Sequence, residues 1–231
     1  MIFESEPCIE AEFTTHLDQT GGILEFTADG QLLLTVSDFG IDNHREIKET
    51  IYPSDPNVSY GKIFTIDPDT GESRILTMGH RNPEGLTVAA DGSIWSTEHG
   101  PAGGDELNLI IPGRHYGWPH VSYGSDYGKF YFPPASVEEQ ARHEGYEKPI
   151  YSWVPSIAVS AVDQIDGPEF FFWRGDLIVA SLLAEKLYRV HLEEGPRAVV
   201  VEPIDIEARI RDVIVLPTGE IVAKLDEHPM W

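Results

Sequence analysis

Cysteine is nearly absent: Cys8 is the one thiol in 231 residues. A lone thiol excludes an intrachain disulfide, so no disulfide scaffold shapes this chain and cysteine usage does not fix its compartment. Basic residues are scarce too, 16 against 39 acidic, for a formal net charge of -23. Such a surface repels nucleic acid and anionic membranes; it suits solubility, or cation binding where acids converge. No apolar run reaches the roughly 18 residues of a membrane-spanning helix. The start, MIFESEPCIEAEF, has no basic segment followed by an apolar one, so it does not read as a secretory leader. A cytoplasmic chain, or one given without its original start, is expected. Long amphipathic helices are also missing. The best candidate, SVEEQARHEGYE, is short and polar, and residues 129–149 around it read as a polar surface insertion.

Glycine, proline and aromatics are plentiful, with 21 Gly, 17 Pro, 5 Trp, 9 Tyr and 10 Phe. That mixture favours a turn-rich β protein over disorder. One pattern recurs: GGILEFTADGQLLLTVSD, EGLTVAADGSIWSTEHG and RIRDVIVLPTGEIVAKLD each read as strand, turn, strand. Their turn glycines are Gly30, Gly92 and Gly219. Asp-Gly between apolar runs signals a hairpin, because both central turn residues favour positive φ. YGKIFTIDPDTGESRILTM reads as a hairpin turning at Pro68 to Gly71, and AVVVEPI as an outer strand. Hairpins repeating at tens of residues suggest a β-propeller, with a sandwich or barrel as the alternative. At about four strands per blade, the chain makes about four blades in a single domain, residues 1–231, and an incomplete ring is expected.

In a propeller, the loops that lead into the innermost strands gather around the central channel. GHRNPEG (79–85), RIRD (209–212) and DQTGG (18–22) each precede such a strand. Arg81, Arg209 and Arg211 then place three positive charges at the mouth of an acidic protein, with Asn82 adding a donor and an acceptor. A small polyanion or acidic cofactor is the expected ligand; ties to Asp38, Asp212 or other acids are the alternative. EHGPAGGDEL follows in the same hairpin. Its irregular backbone can aim carbonyls at one point, which suits a hard cation such as Ca²⁺. Asp105 and Glu106 are adjacent, so a strand sends them to opposite faces and only a loop lets both reach one ion. HYGWP (115–119) reads as a packed aromatic turn.

GHRNPEG, EHGPAGGDELNLI, GRHYGWP and RIRDV, in that order, resemble the glucose/sorbosone dehydrogenase family, from about residue 18 to the C-terminus. Its members are quinoproteins that bind pyrroloquinoline quinone (PQQ) on a six-bladed β-propeller. The resemblance implies that Arg81 and Asn82 touch the quinone and that Arg209 and Arg211 bind its carboxylates. It implies that the carbonyls of Gly100 and Pro101 hold an activating Ca²⁺, and that Asp105, Glu106 and Tyr116 match a second, structural Ca²⁺ site. The implied reaction is oxidation of an aldose at C1, with hydride passing to the quinone and a histidine taking the proton. The electron acceptor is unknown, and a periplasmic or extracellular place is implied.

The chain departs from that pattern. The histidine position falls on Gln19, and glutamine is no general base at neutral pH. Asp18 stands beside it as a substitute, and His16 is nearby. A family lysine falls near Leu183, three residues from Lys186. The competing expectation is a non-catalytic calcium-binding propeller that recognises carbohydrate or protein. A metal-dependent lactonase ranks last, because the matched metal ligands are backbone carbonyls.

Overall fold

A computed structural model describes residues 2–8, 19–40, 52–125 and 143–226. They form four antiparallel sheets. The first holds β1 (Gly21–Phe26), β2 (Leu32–Val36), β3 (Lys62–Ile66) and β4 (Ser73–Met78). The second holds β5 (Pro83–Val88), β6 (Ile94–Glu98), β7 (Asp105–Ile110) and β8 (Tyr151–Trp153). The third holds β9 (Val159–Gln164), β10 (Leu177–Ser181), β11 (Lys186–Glu193) and β12 (Arg197–Asp205). The fourth pairs β13 (Ile210–Val215) with β14 (Ile221–Leu225). Each sheet runs in sequence order from inner to outer strand, as propeller blades do. Among the described residues, the only helical pieces are 3₁₀ turns at Tyr52–Ser54 and Phe171–Trp173.

The core is a series of apolar layers between successive blades. Leu33 and Ile63 of the first blade meet Leu86, Ile110 and Tyr116 of the second. Trp95, Leu107 and Trp153 meet Leu177 and Val179 of the third. Ile178, Ala180 and Leu187 meet Ile210 and Val213 of the fourth. Middle strands are therefore buried on both faces: neighbouring Leu32 and Leu33 enter two different layers. The ends of the series differ. Leu24 and Phe26 on β1, and Ile214 and Val222 on β13 and β14, are exposed. No sheet closes on itself, so the described blades form an open arc, as the expected incomplete ring requires. The inner strands β1, β5, β9 and β13 pack in that order and line a channel of ≈ 400 Å³.

Gly85 permits this convergence: a Cβ there would lie 2.9 Å from the Val162 nitrogen of β9. The hairpin turns correct one expectation. Gly30, Gly92 and Gly219 have positive φ, but Asp29, Asp91 and Thr218 do not. Gly30 N–H donates to Thr27 carbonyl and Thr27 N–H to Gln31 carbonyl, a type I turn closed by a left-handed glycine. The glycine alone takes the positive φ that the residue before it was expected to share. The predicted hairpin at Pro68 to Gly71 joins β3 and β4, and AVVVEPI lies in outer strand β12. Most of the insertion assigned to 129–149 lies outside the described residues.

Candidate functional site

Arg81 sits in the loop from β4 to β5 and is buried. Its Nη1 donates to the carbonyls of His99, at 3.0 Å, and Gly100, at 2.9 Å. With the Gln19 amide oriented to satisfy both its ends, the Gln19 oxygen accepts Arg81 Nη2 at 2.7 Å and its nitrogen reaches Asp38 Oδ1 at 3.3 Å. Asp38 N–H donates to the Arg81 carbonyl at 2.8 Å. The Trp118 ring lies against the guanidinium, 5.5 Å from Cζ to centroid, and its Nε1 donates to Asp38 Oδ2 at 2.7 Å. Four distant segments thus fix one cation. Among the described residues, no acceptor takes its Nε–H or its second Nη2–H.

Behind Arg81 lie two buried carboxylates, Glu98 on β6 and its register partner Glu106 on β7. Asn108 Nδ2 donates to Glu98 Oε1 at 3.2 Å and to Glu106 Oε2 at 3.1 Å. Burial pushes the Glu98 carboxyl up to about 7, partly offset by hydrogen bonds from Glu106 and the Arg81 N–H. Burial pushes Glu106 well up, and the charge of Glu98 adds to it. His80 closes the cluster, with Nδ1 3.4 Å from Glu98 Oε2 and its ring stacked on Tyr116. Burial pushes His80 down to about 3, so its imidazole is neutral. A hollow of ≈ 10 Å³, room for one water, is lined by Arg81, Glu98, Gly100, Glu106, Tyr116 and Trp118.

The predicted metal residues do not converge through their side chains. Asp105 and Glu106 open strand β7, so they face opposite ways. Asp105 Oδ1 accepts the Gly100 N–H at 3.0 Å and the Ser156 hydroxyl; Oδ2 accepts the N–H of Ile157 at 2.9 Å and of Ala158 at 2.7 Å. It is a post to which two loops are tied. Tyr116 donates its hydroxyl to the Leu109 carbonyl and accepts the Ile111 N–H. Among the described residues, no three His, Cys, Asp or Glu are grouped to hold a metal ion. Gly100 belongs to a curled loop: a Cβ on it would strike the carbonyls of Gly103 and Gly104. The Gly100 oxygen already accepts Arg81 and keeps a second lone pair.

Arg209 and Arg211 have a different partner from Arg81. Both face Asp226, at 3.5 and 2.7 Å. Among the described residues, Arg209 Nε is buried without a partner, and so is Asn82 Oδ1, while Asn82 Nδ2 donates to Glu84 Oε1 at 2.9 Å. Asp18 and His16 lie outside the described residues. Leu183 is exposed and Lys186 pairs with Asp205, so no lysine faces the site from there. Sequence reasoning gave Glu98 and Asp226 no role, read Trp118 only as part of a packed turn, and took Asp38 only as a tie. Trp118 offered one signal, an invariably polar indole N–H in a turn expected to be buried.

The sequence profile of the family described as "Glucose / Sorbosone dehydrogenase" matches residues 2–230, and the chain belongs to that family. It is 31% identical over 218 residues to the aldose sugar dehydrogenase YliI of Escherichia coli K12, covering 90% of this chain and 57% of the relative. The fold matches a crystal structure of glucose dehydrogenase with a TM-score of 0.81 and 32% identity, over 98% of this chain and 65% of that one. The PQQ-bound aldose sugar dehydrogenase of Streptomyces coelicolor matches with a TM-score of 0.64 and 26% identity, over 84% and 52% of the two chains. The chain spans about half the length of the curated relatives it matches.

Proposed function

We propose, from that membership, that the chain forms the cofactor-binding part of a PQQ- and Ca²⁺-dependent dehydrogenase that oxidises an aldose sugar at C1. The observation that carries this reading is the pair of buried, unanswered polar atoms, Asn82 Oδ1 and Arg209 Nε, at two positions the family uses for its quinone. A buried polar atom without a partner is costly, and a polar ligand answers it. The site therefore fits a flat, carboxylate-bearing quinone held by Arg81, Asn82, Arg209 and Arg211. The carbonyls of Gly100 and Pro101 would hold calcium beside it. The family's second cation position falls at Asp105, Glu106 and Tyr116, where Asp105 already accepts the Gly100 N–H and Tyr116 donates to the Leu109 carbonyl.

Once bound, PQQ supplies the hydride acceptor and calcium polarises it. The chain's own part is to bind and orient. Arg81 presents its two remaining N–H donors from a rigid, dehydrated position, which strengthens them. Arg209 and Arg211 neutralise carboxylate charge. Gln19 holds the guanidinium and takes no proton, so the sugar's hydroxyl proton must pass to another group, for which Asp18, next to Gln19 in sequence, is the candidate substitute base. A periplasmic or extracellular setting follows from the same reading.

Titration of the apo-protein with PQQ, in calcium and in EDTA, tests this. Calcium-dependent saturation of the quinone absorbance at one equivalent is expected, with aldose-driven reduction of an artificial acceptor. Absence of binding in both buffers would overturn the cofactor assignment. Binding without turnover would leave the cofactor site and remove Asp18 as base.

A further inference from the structure

The contacts around Arg81 close on themselves. Its carbonyl accepts Asp38 N–H, Asp38 Oδ2 accepts the Trp118 indole, and the Trp118 ring returns to the Arg81 guanidinium. Asp38 follows β2 of the first blade; Trp118 rises from the loop after β7 of the second, where its own N–H donates to the Gly79 carbonyl at 2.9 Å. Trp118 and Asp38 are 5% and 1% exposed, so this loop of contacts is dry.

We propose that Trp118 is a positioning residue for Arg81, setting the plane of the guanidinium that faces an acidic ligand. Nη1 is held by two carbonyls and Nη2 by the Gln19 oxygen, and a planar group held along that edge can still tilt about the line through its two Nη atoms. The ring face removes this rotation, because an arginine face is attracted to an indole and the attraction grows when both are desolvated. The indole N–H orients the ring itself. Phenylalanine would keep the face and lose the hydrogen bond; leucine would lose both. The inference rests on the reading of Arg81 as an anion contact, but the orientation of its side chain can be read without any ligand.

The experiment has two arms. In the first, ¹⁵N NMR of the apo-protein follows the Arg81 Nε–H signal, assigned by its loss in Arg81→Lys. Trp118→Phe should keep its ring-current shift, and Trp118→Leu should move it to an ordinary arginine position. An ordinary shift in the wild type overturns the proposal. In the second, PQQ is titrated into the same proteins in calcium. Trp118→Leu should weaken binding about tenfold and Trp118→Phe less, from the strength of a desolvated cation–π contact. Arg81→Ala and the Arg81→Ala/Trp118→Leu double variant should bind alike, because the ring acts only through Arg81. Additive losses would mean that Trp118 merely packs. Should no protein bind PQQ, the proposed function fails while the NMR arm still decides the role of Trp118. Should Trp118→Leu not fold, Trp118→Phe and the wild type carry both arms.

Discussion

Arg81 and the Arg209–Arg211 pair begin from similar places, in or beside loops that lead into inner strands, and end in different physical states. Arg81 lies between two four-stranded blades and is answered by backbone carbonyls, an amide and a ring. The Arg209–Arg211 pair lies on a two-stranded sheet whose Ile214 and Val222 are exposed, and its charge is met by Asp226. The side chain of Arg211 is 44% exposed. A guanidinium held by carbonyls of a packed loop has one geometry. One held by a single carboxylate, with Arg211 itself half-exposed, has an exchangeable partner and gains little stability from it, about 0–1 kcal/mol. The difference lies in what stands behind each arginine.

The strongest way to break this contrast is through Asp105, which the first site depends on and the second does not touch. Asp105→Ala orphans the buried N–H of Ile157 and the partly buried N–H groups of Gly100 and Ala158 together. Each buried orphan costs about 1–3 kcal/mol, so Tm should fall by roughly 10 °C or more in a chain of this size. Because the Gly100 N–H anchors the loop whose carbonyls accept Arg81, PQQ binding should be lost in the same variant. Arg211→Ala should weaken binding while keeping Tm within about 2 °C of wild type. Thermal unfolding of both variants side by side is the check. A near-normal Tm for Asp105→Ala would remove the post from the first site.

The fold was legible because its signals are local. A glycine after a short polar run, with apolar residues on either side, places each hairpin turn, and the stacking of hairpins follows from the faces they must bury. The arginines were legible for the same reason, as polar loops at equivalent places. Their partners were not. Trp118 meets Asp38 across 80 residues, and Ser156 meets Asp105 across 51. Spacing along the chain carries no trace of a contact made between blades. The side chains of the EHGPAGGDEL stretch turn on register: DELNLI continues as a strand, so Asp105 and Glu106 obey the alternation that sends neighbours to opposite faces.

A middle-sized effect sharpens the comparison through pH. The Glu98 carboxyl is held near 7 in the folded protein by burial, above its ordinary value. The folded state therefore binds a proton that the unfolded state has released. The stabilising contribution is present below the ordinary carboxylate range and is lost as pH rises through about 7. Tm of the apo-protein in EDTA should fall between pH 5 and 8, and Glu98→Gln should flatten that fall by several degrees. Glu98 and Glu106 share the hydrogen bonds of Asn108, so the slope belongs to the pair. A Tm profile indifferent to Glu98→Gln would mean that the pair is solvated and the first site is not dry.

The smallest effect falls on the second site and tests whether its looseness has a use. Asp226→Asn removes one negative charge beside Arg209 and Arg211 and keeps an oxygen that can accept their N–H groups. Stability should change by about 1 kcal/mol, because the asparagine oxygen still accepts from both arginines. Binding of PQQ should tighten a few-fold, because the incoming carboxylates no longer compete with Asp226 for the same donors; a single charge a few ångströms away, in a largely solvated setting, is worth about that much. The gain should shrink as salt is raised, since exposed charges are screened. Titrations of Asp226→Asn at low and high salt measure it. Weaker binding at unchanged Tm would show that Asp226 orients the pair as Trp118 orients Arg81, and the two regions would then differ in exposure alone.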